Sequence, residues 1–160
     1  MRQKLLNRFR YLWIVELLNA IIVFPVFVLA VSLNVKIGPL TVCATVLLCF
    51  FLIVGSAFSF LKCRNLQNGM QTLNKYANIF RVLRRSAPIL LCAVFLILIF
   101  QWQEFTLADR GLGLMMFVLA ILEYINCFYI QLMYDTRGEI AFLLVRRRLK
   151  RGLIAREFGW

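Results

Sequence analysis

A run of polar side chains interrupts an apolar tract near the C-terminal end of the sequence. The tract LEYINCFYIQLMYD, residues 122–135, belongs to an apolar block long enough to cross a membrane, yet it contains carboxyl, amide and phenol groups. A carboxyl group at membrane depth can hold helices together through hydrogen bonds, or it can carry protons. The residues that we assign to helix association or partner binding are Glu123, Asn126, Gln131, Tyr134 and, from the first apolar block, Asn19.

Helical spacing places the polar groups of this tract on one broad face. Residues three and four positions apart are neighbours on a helix, so Glu123, Asn126 and Gln131 lie on the same side. Lipid cannot hydrogen-bond these groups, so the face must turn towards other helices or a water-filled cavity. We expect Glu123 near mid-membrane depth, with Asn19 among its partners. A structural role and an active role for Glu123 are equally open at this point.

A second acidic residue, Glu16, lies in the first apolar block. It is only a turn or two from Arg8 and Arg10, so its side chain can reach the membrane interface. This spacing favours a snorkelling or paired interfacial acid, which leaves Glu123 as the single deep ionisable group. Because a proton-coupled carrier usually offers a relay of several such groups, the count favours a structural role.

The elements that position these residues follow from composition. With 62% apolar and 16% charged residues among 160, and a mean hydropathy of +0.82, the chain does not resemble a soluble domain. A helix needs roughly 20 apolar residues to cross a membrane, and the alternating strands of a membrane barrel are absent. We predict an all-α integral membrane protein, a single domain over 1–160, with transmembrane helices at about 12–33, 40–61, 87–102 and 112–134.

Basic residues are distributed unevenly between the loops, and the net charge is +12. The first and third loops contain one basic residue each, Lys36 and Arg110, with Asp109 beside the latter. Because Lys and Arg concentrate on the cytoplasmic side, both termini and the second loop are predicted to lie in the cytoplasm, below a bacterial-type inner membrane. This orientation and contact with anionic lipids explain the charge, so we expect no nucleic-acid partner.

Two segments are predicted to lie on the cytoplasmic face. Residues 65–86 have an apolar stripe at helical spacing and predict an amphipathic helix, which lies either along the membrane surface or against the protein's own spans. Pro88 then falls in the first turn of the third span. The segment 136–160 predicts a short basic helix, and one continuous helix from 112 to about 150 is the alternative. The residues assigned to anionic-lipid contact are Lys75, Arg81, Arg84, Arg85, Arg146, Arg147 and Arg148.

Several chemistries are disfavoured by residue type. The chain has no histidine, which excludes histidine-ligated haem and histidine-containing zinc sites. A P-loop, a nucleophile elbow and a dinucleotide fingerprint are missing, and the five cysteines form no C-x-x-C pair. Acidic residues are too scattered for an obvious metal cluster. We therefore expect no cofactor and no metal, and enzymatic activity is disfavoured.

Two resemblances carry little functional information. A single membrane glutamate in a four-span chain resembles the small multidrug exporters, in which an acid of the first span exchanges protons for cations. Here Glu123 belongs to the fourth block, so no functional residue carries over. The tract 122–135 resembles small, uncharacterised bacterial multi-span membrane proteins, and this resemblance implies no activity.

The sequence thus favours a small non-catalytic membrane subunit or accessory protein. Its helices would bind a larger membrane protein or copies of the chain itself, in a bilayer with anionic lipids on the cytoplasmic face. The alternatives are a small proton-coupled transporter or channel that uses Glu123, and a lipid-modifying membrane enzyme.

Overall fold

The computed structural model of the protein describes residues 2–68, 72–100, 102–132 and 151–159. The regular secondary structure within these residues consists of helices, with a π-helical turn after α1 and a 3-10 turn before α5. Their bounds are α1 Arg2–Leu18, the π-helical turn Asn19–Val23, α2 Phe24–Ser32, α3 Pro39–Asn68, α4 Thr72–Phe100, the 3-10 turn Trp102–Glu104, α5 Leu107–Phe128 and α6 Leu153–Phe158.

Four helical segments are long and apolar enough to span a membrane, as in a multi-pass membrane protein. They are Leu5–Ser32, Pro39–Gln67, Lys75–Phe100 and Leu107–Phe128. The prediction of an all-α fold with four helices of transmembrane length is therefore confirmed. Each of these segments overlaps one of the apolar blocks in the sequence, although their ends differ from the predicted ones.

The first span changes its hydrogen-bond pattern before Pro25. Proline has no backbone N–H, so it cannot donate to the carbonyl one turn earlier. The chain responds with the π-helical turn, in which the N–H of Phe24 donates to the carbonyl oxygen of Asn19, five residues back. The helix then continues as α2, so the span is one helical rod with an internal bulge.

Helix α3 is the centre of the bundle, and α1, α4 and α5 pack around it. Helices α1 and α4 run antiparallel to α3, whereas α5 runs parallel to it. We call the end at which α1 begins and α3 and α5 terminate the basic end, and the opposite one the far end. The contacts that set these directions are Trp13–Phe60 and Glu16–Gly55 for α1, Gly113–Leu40 and Tyr124–Phe51 for α5, and Phe80–Phe58 with the cavity shared by Leu90 and Leu47 for α4.

The region predicted as a separate amphipathic helix, 65–86, is divided between two longer helices. Helix α3 continues to Asn68, and α4 runs from Thr72 through Pro88 to Phe100. Pro88 is thus inside a helix and not in its first turn. The apolar residues that follow stay helical, because in lipid their backbone N–H and C=O groups must form hydrogen bonds within the chain. Phe80 is buried against Phe58, with 5.5 Å between ring centroids. Phe80 of this stripe therefore packs on the protein's own core.

The fourth span begins and ends earlier than 112–134. Helix α5 starts at Leu107 because the hydroxyl oxygen of Thr106 accepts a hydrogen bond from the N–H of Asp109, at 3.2 Å. It ends at Phe128, since Tyr129 leaves the helical region with φ −125° and ψ −62°. The alternative of one continuous helix from 112 to about 150 is therefore wrong. Glu123 lies in the last two turns of α5, and not about midway along the span.

Helix α6 packs across the basic end of the bundle. Ile154 and Ala155 are buried, and the ring of Phe158 contacts those of Phe58 and Phe80. An ion pair joins Lys62 of α3 to Glu157 of α6. The backbone N–H of Gly152 donates to the carbonyl oxygen of Tyr129 at 2.8 Å. Residues 136–150 of the predicted basic segment lie outside the described ranges, and so do four of the assigned site residues, Tyr134, Arg146, Arg147 and Arg148.

Candidate functional site

The polar face of α5 meets α1 and α3 around Gly55. A Cβ atom at Gly55 would lie 3.1 Å from Oε2 of Glu16 and 3.3 Å from Sγ of Cys127, so only a glycine leaves both side chains this close to α3. Glu16 is 8% exposed, and it is close enough to Glu123 for the two carboxyl groups to interact electrostatically. We call Glu16, Gly55, Glu123 and Cys127 the carboxyl site.

Within the carboxyl site, Glu123 is hydrogen-bonded to side chains of its own helix. Oε1 of Glu123 accepts a hydrogen bond from Sγ of Cys127 at 3.4 Å, and Nδ2 of Asn126 lies at 3.5 Å from the same oxygen. Oδ1 of Asn126 in turn accepts from the backbone N–H of Leu132 at 2.9 Å. Glu123 and Asn126 thus share a face, as helical spacing predicted, and their polar atoms bond within the chain. Gln131, beyond the end of α5, is buried.

The carboxyl site holds two acids and no base. Among the described residues, neither Glu16 nor Glu123 forms an ion pair with a basic side chain, and Oε2 of Glu16 is buried without a hydrogen-bond partner. Two such carboxyl groups away from water cannot both be charged at low cost. The site is therefore suited to holding a proton.

Two predictions about the first span differ from the structure. Glu16 does not reach the interface, because Gly55 leaves room for its side chain inside the bundle. Asn19 forms no hydrogen bond with Glu123 in the described part of the chain; it begins the π-helical turn instead. The bundle therefore brings two acids together where the sequence predicted a single deep one. In the sequence, this close approach of two helices is indicated by three small residues of α3, Gly55, Ser56 and Ser59.

Another acid, Asp109, is buried at the far end. Its side chain is 1% exposed, and Oδ1 accepts hydrogen bonds from the N–H groups of Gly38 (3.0 Å) and Thr41 (3.1 Å) and from the Thr41 hydroxyl (2.6 Å). These N–H groups lie just before and within the first turn of α3, where a helix has no internal acceptors. Sequence reasoning had placed Asp109 in a loop, whereas it caps α3 from α5.

Three of the arginines assigned to anionic-lipid contact line one cavity of about 360 Å³ at the basic end. Arg81, Arg84 and Arg85 surround it together with Pro88 and Tyr129. The guanidinium carbon of Arg84 lies 5.2 Å from the centre of the Tyr129 ring, and the Tyr124 hydroxyl is hydrogen-bonded to that of Tyr129 at 3.2 Å. This hydrogen bond, with the nearby Arg84, lowers the pKa of Tyr129.

Among the described residues, no group of three or more His, Cys, Asp or Glu side chains has an arrangement that could hold a metal ion. Lys75, the remaining predicted lipid contact of this region, is exposed near the start of α4. The geometry thus brings two acids together inside the bundle and places three arginines around a cavity at the basic end. Comparison with protein-family models, curated proteins and solved structures gave no match.

Proposed function

We propose that the protein is a small non-catalytic integral membrane subunit or accessory protein, which binds a larger membrane protein or copies of itself through its helices. The uneven burial of the spans carries this proposal. The buried fraction of the residues in an apolar 18-residue window differs from span to span. It is 61% for Pro39–Gln67, but only 6% for Leu5–Ser32 and 11% for Lys75–Phe100. Since Glu123 and Asn126 bond inside the chain, the outer faces of the first and third spans are the surfaces available to a partner.

The proposed orientation places the basic end in the cytoplasm of a bacterial-type inner membrane. It is supported by the arginine-lined cavity at this end and by the small number of basic residues, Lys36 and Arg110, at the other. Anionic lipids of the cytoplasmic leaflet would then contact Arg81, Arg84 and Arg85. Lys36, at the far end, is exposed, so in this orientation a reagent outside the cell can reach it.

Site-specific photo-cross-linking in living cells tests the proposed partner surface. A photoreactive amino acid at Ile89 of α4 (70% exposed) or Leu29 of α2 (64% exposed) should give a product larger than the chain alone, because these side chains face outwards. The same amino acid at Phe51, which is 0% exposed, is the matched internal control and should give none. In the same cells, a cysteine at Lys36 in a cysteine-free background should react with an impermeant thiol reagent.

The proposed role would be contradicted if both outward positions gave only lipid adducts and no cross-link to a protein. A cysteine at Lys36 that reacts only after the cells are opened would reverse the proposed orientation.

A second function, proton-coupled transport, is favoured by one observation. Glu16 lies beside Glu123 without a basic partner, so the site can take up and release a proton, which a purely structural glutamate does not require. Glu16 and Glu123 belong to different helices, and a change in their shared protonation would alter how α1 and α5 pack across Gly55.

Substitutions of Glu123 separate the two functions. With a structural role, Glu123→Gln should leave stability unchanged, whereas Glu123→Leu should lower the free energy of unfolding in detergent by about 1–2 kcal/mol through lost hydrogen bonds. With proton-coupled transport, Glu123→Gln should abolish proton flux into liposomes while the protein stays folded. Glu104→Gln, an exposed acid at the far end, is the control. Proton flux that is present in the wild type and absent in Glu123→Gln would contradict the non-catalytic subunit proposal.

A further inference from the structure

A second basic cavity lies between the start of α1 and the end of α3. Its volume is about 350 Å³, and it is lined by Arg10, Trp13, Phe60, Cys63, Arg64 and Gln67. Among the described residues, no acidic side chain pairs with Arg10 or Arg64, and the nearby Lys62 is paired with Glu157. Two guanidinium groups thus line one cavity without an acidic partner among the described residues, which favours binding of an anion.

Contacts between α1 and α3 position the side chains that line the cavity between Arg10 and Arg64. The ring of Trp13 meets the ring of Phe60 edge-on, with 5.5 Å between centroids and an interplanar angle of 75°. The hydroxyl of Ser56 donates to the carbonyl oxygen of Trp13 at 2.9 Å. These contacts fix α1 against α3 at this level. A tryptophan beside two arginines is also typical of the headgroup region of a membrane.

An apolar groove lies further along α3, where α3 meets the second half of the first span. Its volume is about 560 Å³. Its lining residues are Ala20, Pro25, Val28, Leu29, Val42, Thr45, Val46, Cys49, Phe50 and Ile53. The groove and the basic cavity are on one side of α3, because residues spaced by three and four positions share a helix face. The row that connects them on α3 is Val46, Phe50, Ile53, Ala57, Phe60 and Arg64.

The spacing along this row matches the depth of one membrane leaflet. Arg64 follows Ile53 by eleven residues, which is about 16 Å along a helix. Half of the hydrocarbon core is about 15 Å. An acyl chain whose headgroup lies at Arg64 therefore passes Phe60 and the small side chain of Ala57, and reaches the groove at Ile53.

We propose that the cavity and the groove together bind one phospholipid with an anionic headgroup. The headgroup phosphate lies between Arg10 and Arg64, and one acyl chain follows α3 past Ala57 to Ile53. The two arginines favour an anionic headgroup by charge complementarity. The apolar row and groove favour an acyl chain attached to that headgroup. A phospholipid therefore occupies both the cavity and the groove, whereas a free anion would occupy the cavity alone. This site is separate from the cavity of Arg81, Arg84 and Arg85, and it does not depend on a protein partner.

Photolabelling of the purified full-length protein tests the site. The probe is a phosphatidylglycerol with a diazirine in its acyl chain, and the product is located by sequencing labelled peptides. We expect saturable labelling of α3 between residues 50 and 60. The double variant Arg10→Gln/Arg64→Gln should weaken the apparent affinity at this position about 30-fold, since each basic residue near anionic lipid contributes about 1 kcal/mol.

The variant Arg81→Gln/Arg85→Gln is the matched control, because it removes the same charge from the other cavity at the same end. It should leave labelling at residues 50–60 unchanged. Ala57→Trp keeps both arginines and fills the path of the acyl chain, so it should remove the label, and it serves as the deciding variant if the arginine pair proves necessary for folding. Equal affinity for a phosphatidylcholine with the same diazirine chain, or equal losses in the two arginine variants, would overturn the proposal.

Discussion

Replacing Asp109 with alanine is expected to lower the free energy of unfolding by about 2–4 kcal/mol. Oδ1 of Asp109 accepts three hydrogen bonds, from the N–H of Gly38 and from the N–H and hydroxyl of Thr41. Alanine leaves the two N–H groups at the start of α3 without this acceptor, in a place that the packing of α5 shields from water, whereas the Thr41 hydroxyl keeps the backbone carbonyl oxygen of residue 109, at 3.3 Å. Reversible unfolding in mixed detergent micelles, followed by circular dichroism, measures the loss.

Glu104 provides the control for this change. It is an exposed acid at the same end, so Glu104→Ala should alter stability by less than about 0.5 kcal/mol. Asp109→Asn retains one carbonyl oxygen and should fall between the two. If Asp109→Ala and Glu104→Ala gave the same small change, Asp109 would not be the cap of α3.

A second large effect is expected at Gly113, where α5 passes close to α3. A Cβ atom there would lie 2.6 Å from Cγ of Leu40 and 3.2 Å from the backbone nitrogen of Thr41, so one of the helices must move. Glycine to alanine in a helix ordinarily stabilises by up to about 1 kcal/mol. Overpacking costs about 1–3 kcal/mol, and we expect Gly113→Ala to be destabilising by about 1–2 kcal/mol overall.

The matched control is Gly111, two residues earlier on the same helix. A Cβ atom at Gly111 meets nothing within 4 Å, so Gly111→Ala should keep the helix benefit and stabilise the protein slightly. The two substitutions are chemically identical, and thermal unfolding in one detergent compares them directly. Stabilisation by both would show that α3 and α5 do not approach closely at Gly113.

The helices were predictable from the sequence, but their ends were not. Four apolar blocks suffice to indicate four spans, because each block must satisfy its backbone within itself. The ends depend on contacts between distant segments or on local caps. Thr106 starts α5 ahead of its apolar block, and Tyr129 ends it where α6 docks. Pro88, an expected helix start, lies inside α4, which meets α3 before it at Phe80 and after it at Leu90.

The candidate site was predictable only where it lies on one helix. Glu123 and Asn126 share a face because of their spacing, which a sequence displays directly. Glu16 joins them through a close approach at Gly55, which depends on how two helices cross. The Arg84–Tyr129 contact likewise joins residues far apart in the sequence. Helical periodicity contains no information on such pairs.

The cap that Asp109 places on α3 has a consequence for the order of membrane insertion. Asp109 follows Thr41 by 68 residues, and a membrane chain enters the bilayer as it is synthesised from its N-terminal side. When α3 first inserts, the N–H groups of Gly38 and Thr41 have no acceptor from the chain, so they must stay among headgroups and water. The cap of α3 can therefore form only after α5 has been made, so the two spans become joined at the far end late in synthesis.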